Sequence, residues 1–270
     1  MSKAIVDTTI LTDVLLNSGE ARKAATNALN QYSQTLLPVY AIKEFKSGPL
    51  NNFVWMHNKL ASLGSYEKAL GALQRMSRTP RRYTTSTAIQ ALQHADRSIS
   101  KVTTHELENK YGRNATMDKV LCDEFRLSIK IAIIRAWKKR RKVTTDIICP
   151  LACYKETAPF ENRGLIEIGG TECEIQNQCT IATLLMKKPD DLHRMRDAIV
   201  QSEKPENINR AKVLRHLYRT PNVPIENKDC RKLGDAVFVF LAPVDAVILT
   251  TNVDDHSPLA SAIGKKVVSP

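Results

Sequence analysis

Two strand-like segments, one near each end of the chain, run straight into residues that could hold a cation. Ala4-Ile5-Val6 stops at Asp7-Thr8-Thr9, and Ala246 to Leu249 stops at Thr250-Thr251-Asn252, with Asp254, Asp255 and His256 just beyond. In open α/β sheets, ligands bind at the carboxyl ends of the strands. Carboxylates gathered in one cleft repel each other and raise each other's pKa values. A hard divalent ion such as Mg²⁺ or Mn²⁺ relieves that repulsion, because it prefers oxygen ligands. Once bound, such an ion acidifies a water and stabilises charge on a leaving oxygen, the chemistry of phosphodiester hydrolysis.

The elements that must position these acids follow from the apolar pattern. Ile10, Leu11, Val14 and Leu15 recur at helical spacing after Asp7, and residues 20–32 read as a polar amphipathic helix. Thr35 to Leu37 suits a short strand. Pro38 then opens a helix that carries Val39, Ile42 and Phe45 inward and Glu44 with them, and Ser47-Gly48-Pro49 is expected to end it. From about residue 52 to 142 the pattern is helical, with one stripe at Met56, Leu60 and Leu63 and another at Leu121, Phe125, Ile129, Ala132 and Trp137. Two short strands around a Gly169-Gly170 turn are expected between Gly164 and Ile175. Helices resume over 180–201 and 206–219. Residues 229–242 suit a helix through Leu233, Val237, Phe238 and Leu241, and Ala246 to Leu249 a buried strand. A short helix from Ser257 to Ile263 and a last strand from Lys266 to Val268 follow.

In that order, four motifs together resemble the PIN-domain family of metal-dependent nucleases. They are Asp7-Thr-Thr-Ile-Leu11, Glu44 on the helix after the second strand, Asp235-Ala-Val-Phe-Val-Phe-Leu-Ala242, and Thr250-Thr-Asn-Val-Asp-Asp-His256. Asp13 stands where that family often has a further, structural acid. The resemblance implies an α/β fold: a small, mainly parallel sheet flanked by helices, with a large, mostly helical insertion carrying a short β-hairpin. Residues 1–60 and 220–270 would form the nuclease core, and 61–219 the insertion, which has no counterpart in the resemblance. It implies Asp7, Glu44, Asp235 and Asp255 as catalytic acids and Asp7, Asp235, Asn252 and Asp255 as ligands of Mg²⁺ or Mn²⁺. Thr8 and Thr250 would hydrogen-bond the carboxylates or a phosphate. Asn252 lacks a charge where many relatives have Asp, which favours one metal over two. His256 replaces an aromatic residue and reads as a packing change. The implied activity is hydrolysis of RNA in preference to DNA, leaving a 5′-phosphate, in a toxin, defence or RNA-processing setting. A regulating protein, either an antitoxin or a subunit of a larger complex, would then be a partner. The alternative is a catalytically inactive, PIN-derived protein that binds nucleic acid.

The charge distribution supports a polyanionic partner. The formal net charge is +12, and residues 75–142 hold 17 Lys/Arg against 6 Asp/Glu, leaving the rest near neutral. Arg81 and Arg82, and the run Lys138, Lys139, Arg140 and Arg141, are the candidate phosphate contacts. Cys149, Cys153, Cys173 and Cys179 are spaced loosely for a structural Zn²⁺ site, and Cys is also a common buried residue. The six histidines form no metal-binding pair and read as surface or core. No glycine-rich phosphate loop is present. Neither an export signal nor an apolar run long enough for a membrane is evident, so the expected location is the cytoplasm.

Overall fold

Ala4, Ile5 and Val6 are fully buried on both faces of their strand, as the central strand of a parallel sheet requires. The computed structural model describes residues 2–77, 88–93, 95–96, 103–112, 114–173, 179–220 and 225–270. Its first elements are β1 (Lys3–Val6), α1 (Thr8–Leu15), α2 (Glu20–Leu29), β2 (Gln34–Pro38), α3 (Val39–Phe45), α4 (Asn51–Leu63) and α5 (Tyr66–Ser77). The middle of the chain supplies α6 (Thr104–Tyr111), α7 (Met117–Lys139), β3 (Asp146–Ile148), β4 (Phe160–Asn162) and β5 (Leu165–Glu167). Next come α8 (Thr180–Leu185), α9 (Pro189–Ile199), α10 (Pro205–Arg219), α11 (Asn227–Lys232) and α12 (Gly234–Leu241). β6 (Ala246–Leu249), α13 (Val253–Ala262) and β7 (Lys266–Val268) follow.

Five strands form one parallel sheet in the order β3-β2-β1-β6-β7. Ile5 pairs with Leu36 on one side and with Ile248 on the other, so the two ends of the chain meet at the centre of the sheet. The fold is α/β, a parallel sheet flanked by helices with a large helical middle, and is consistent with a PIN-like architecture. One contiguous hydrophobic core runs from β1 through α7 to α13. Among the described residues no helix is long and apolar enough to cross a membrane.

Three local expectations change. First, β3 lies within 61–219 yet pairs with β2 through Leu36↔Asp146 and Pro38↔Ile148, so the sheet does not respect a division at residues 61 and 219. The β-branched run Thr144-Thr145 and Ile147-Ile148 is the local signal for it. Second, Ser47-Gly48-Pro49 does not end α3. A π-helical turn over Lys46–Leu50 carries the chain directly into α4. The wider turn accommodates a proline that lacks an amide hydrogen. It also turns Lys46 fully inward, where its ammonium donates to Thr157 Oγ1 at 2.8 Å and stands 5.1 Å from the centre of the Trp137 ring. Third, the β4–β5 hairpin turns at Arg163-Gly164, not at Gly169-Gly170. Both turn residues have positive φ (49° and 77°), the requirement of a tight hairpin turn. Gly170, also at positive φ (65°), packs against the backbone of Lys155 instead.

Candidate active site

Asp7 ends β1 and caps α1. Its Oδ1 accepts the backbone N–H of Thr8 at 2.6 Å, which satisfies one of the open donors at the start of that helix. Its Oδ2 accepts the hydroxyls of Thr9 at 2.9 Å and Thr250 at 2.6 Å. Thr250 follows β6, next to β1 in the sheet, so two adjacent strands deliver the carboxylate and its clamp to the same carboxyl edge. Asp7 is 3% exposed, and burial alone would raise its pKa; His256 and the two hydroxyls outweigh that and hold it below the usual value.

Glu44 arrives on α3, where its Oε2 accepts the Thr8 hydroxyl at 2.8 Å. Desolvation and the neighbouring charge of Asp7 push its pKa up to about 8, with Asp235 adding to the repulsion. Asp235 lies in the first turn of α12 and pairs with the Arg210 guanidinium of α10. Burial raises the Asp235 pKa against the attraction of Arg210 and His256. Three of the four predicted acids thus meet from three separate elements. Asp255 is set further out: its Oδ2 accepts the Asn252 side-chain amide at 2.9 Å, and Lys204 stands 3.5 Å from its Oδ1. The backbone N–H of Asn252 in turn donates to Thr250 Oγ1 at 2.9 Å.

Three contributors were invisible in the sequence. His256 is fully buried, with Nε2 3.5 Å from Asp7 Oδ2 and 3.3 Å from Asp235 Oδ1, and makes no hydrogen bond of good geometry. Burial lowers its pKa, but the two carboxylates, Asp7 first, raise it overall. It also packs near the Phe238 ring, so the packing role expected of it is only part of its place. Arg210 comes from the helical middle; its Nε donates to Lys232 O at 3.2 Å and its Nη1 to Asn207 Oδ1 at 2.9 Å. Nothing in local spacing could connect it to Asp235.

Gly234 is the third. A Cβ there would lie 2.5 Å from Glu44 Oε1, so the absent side chain is what admits the carboxylate. The colliding atom is the end of a flexible side chain, which can swing away. Gly234→Ala is therefore expected to leave stability within about 1 kcal/mol of wild type. It should cost any activity that depends on Glu44 at least about tenfold through misplacement. Thermal melting and cleavage assays on the same preparation check both halves.

The remaining predicted contacts divide. Arg81 and Arg82 lie outside the described residues. Lys138 and Lys139 are exposed on α7, whereas Arg140 and Arg141 are both bound to Glu156, and Arg140 also stacks 3.6 Å over the Trp137 ring. The Glu156 carboxylate thus engages both guanidiniums, that of Arg140 mostly buried and that of Arg141 half exposed. Of the four cysteines considered for zinc, Cys149 stands apart. Cys173 instead hydrogen-bonds with Cys230 and Cys153 and receives the Lys43 ammonium at 2.9 Å. The bond from Cys230, followed by Lys43, lowers the Cys173 pKa to about 5. All six cysteines are free thiols. Among the described residues, no group of three or more His, Cys, Asp or Glu side chains is arranged as a metal site.

Fold and site together define an α/β protein with a cluster of acidic side chains at the carboxyl edge of a parallel sheet. No protein-family model, no curated protein and no solved structure matches the chain.

Proposed function

We propose that the protein is a divalent-metal-dependent endonuclease that hydrolyses phosphodiester bonds, with RNA its substrate in preference to DNA. The observation that carries this reading is the proximity of Asp7, Glu44 and Asp235: burial first, and then the charges of Asp7 and Asp235, push the Glu44 pKa up to about 8. Among the described residues Glu44 has hydroxyl partners and no ion pair, so its charge is left for an added cation to balance. The donor set is all oxygen and suits Mg²⁺ or Mn²⁺. Asp7, Glu44 and Asp235 are not arranged as a metal site as they stand, so to hold one such ion their side chains would have to draw together around it, with Asp255 and Asn252 engaged with each other. When bound, the ion would supply an activated water and neutralise charge on the phosphate. The chain's own part is positional. Three donors fix Asp7, Thr8 aims the Glu44 carboxylate, and Glu44 can take up a proton near neutral pH.

One observation favours a second reading, a catalytically inactive protein that binds nucleic acid. Arg210 and His256 already lie against Asp235 and Asp7, where they take up part of the charge a metal would neutralise. Cleavage of end-labelled RNA and DNA with Mn²⁺ or Mg²⁺ separates the two. Under the nuclease reading, wild type cuts RNA only with metal, and Asp7→Asn lowers the rate by about 10²–10³-fold, the usual cost of removing one preorganised electrostatic group. RNA binding without metal-dependent cleavage by wild type would establish the inactive reading instead.

A further inference from the structure

A cleft of about 530 Å³ opens between α1, α2 and the end of α7, and it belongs to neither the acidic site nor the thiol cluster. Its lining includes four cationic side chains, Arg22, Arg135, Lys139 and Lys142, and no carboxylate. None of the four forms an ion pair among the described residues, in contrast to Arg140 and Arg141 beside them. Arg22 adds a sharper sign. Its Nη2 donates to Leu15 O at 3.3 Å, while its Nε is buried and has no partner. A buried charged donor without an acceptor is costly, and an anion in the cleft would satisfy it. The floor is apolar, through Val14, Leu29 and Val143. Such a combination suits a ligand with an anionic end and a flat, less polar body, and the size lies in the range of small-molecule sites.

The cleft lies at the opposite edge of the sheet from Asp7. α2 ends just before β2 begins, and the connection there is tied to the start of β1 by Ser33 N–H donating to Ser2 O at 3.1 Å. The end of α7 leads to Thr145, whose hydroxyl donates to Thr35 O at 2.9 Å at the start of β2. These are the amino ends of the strands, whereas Asp7 and Thr250 stand at the carboxyl ends. With strands rising about 3.3 Å per residue, the two sites are separated by on the order of 13 Å along β1 alone.

We infer that this cleft binds the phosphate-bearing end of a nucleotide, with the phosphate against Arg22, Arg135, Lys139 and Lys142 and the base over the apolar floor. The site stands independently of whether the acidic cluster is catalytic. The shared chemistry is a phosphate monoester on a nucleoside, carried either by a free mononucleotide or by the 5′ end of an RNA strand.

Calorimetric titration of the full chain in EDTA tests this without relying on cleavage. The probes are adenosine 5′-monophosphate, adenosine, and short RNAs with 5′-phosphate or 5′-hydroxyl ends. Arg135→Ala/Lys139→Ala alters two exposed helix positions and should melt as wild type does, and Lys212→Ala, exposed on α10 and away from the cleft, controls for general surface charge. The expected result is binding of at least one phosphate-bearing probe, weakened at least tenfold in the double variant and unchanged in the control. Binding of the mononucleotide identifies a free nucleotide as the ligand; binding of 5′-phosphorylated RNA alone identifies a strand end. The inference is overturned if no phosphate-bearing probe binds, if adenosine or the 5′-hydroxyl RNA binds as well as its phosphorylated counterpart, or if the double variant binds like wild type.

Discussion

Arg210→Met should destabilise the fold by about 3–5 kcal/mol, the usual cost of removing one partner from a buried ion pair. The guanidinium is 7% exposed and makes three attachments: to Asp235, to Lys232 O and to Asn207 Oδ1. Methionine retains much of the volume, so the loss reports on charge and hydrogen bonding more than on packing. What remains is Asp235, 20% exposed, facing Asp7 with His256 as its nearest cation. The variant also carries a second readout. With its guanidinium gone, the acidic cluster has more negative charge to offer, so added Mn²⁺ should raise the melting temperature of Arg210→Met by more than that of wild type. Chemical denaturation measures the first effect and metal titration of the melting curve the second. A loss under about 1 kcal/mol would mean that the pair is screened and contributes little.

Glu44→Gln works in the opposite direction. In the folded state the Glu44 pKa is raised from 4.5 to about 8, first by burial and then by Asp7. A raised acid contributes its full share of stability below the unfolded pKa, because both states are then protonated. Between pH 4.5 and about 8 the unfolded chain gives up the proton first, so that share is lost progressively as the pH rises, and above about 8 the loss is complete. The gap would be worth on the order of 5 kcal/mol if none of it were screened. Because the residue as a whole is only half-buried, about 2 kcal/mol is the better expectation. Glutamine keeps the shape and can still accept from Thr8, so the variant should be more stable than wild type at pH 8 and nearly equal at pH 4.5. It should also cleave poorly, the trade expected where a site is destabilised for function. Denaturation midpoints at several pH values, without divalent metal, check the sign. A variant that tracks wild type across that range would show that Glu44 titrates normally.

Much of the sheet and three of its acids could be read from local pattern. Asp7 and Thr250 follow short apolar runs that fit buried strands, and Glu44 and Asp235 lie on helices with clear inward faces. Each is a statement about neighbours in sequence. Arg210, by contrast, reaches from α10 to Asp235 on α12, and no spacing within either helix encodes that. The place of His256 between two carboxylates depends on the angle of α13 against the sheet, so a buried aromatic position and a charged one look alike in the sequence. β3 was missed because three residues paired at a sheet edge give too short a periodic signal against a long helical background. The hairpin turn was misplaced because Gly169-Gly170 is the more conspicuous glycine pair. The turn that formed uses Arg163 at positive φ, a conformation that few arginines adopt.

The pairing of β1 with both β2 and β6 sets an order of events during synthesis. Residue 5 leaves the ribosome well before its partner Ile248, which emerges only after the whole helical middle has been made. The clamp on Asp7 waits with it, since Thr250 and His256 follow β6 in the chain. Contacts of such long sequence separation are slow to form, because the intervening chain must first be closed into a loop. A ribosome-bound nascent chain therefore carries Asp7 and Glu44 without a completed acidic site until β6 has been made. If the site cuts RNA, the growing polypeptide is inert beside the messenger that encodes it, and becomes competent only once β6 is in place.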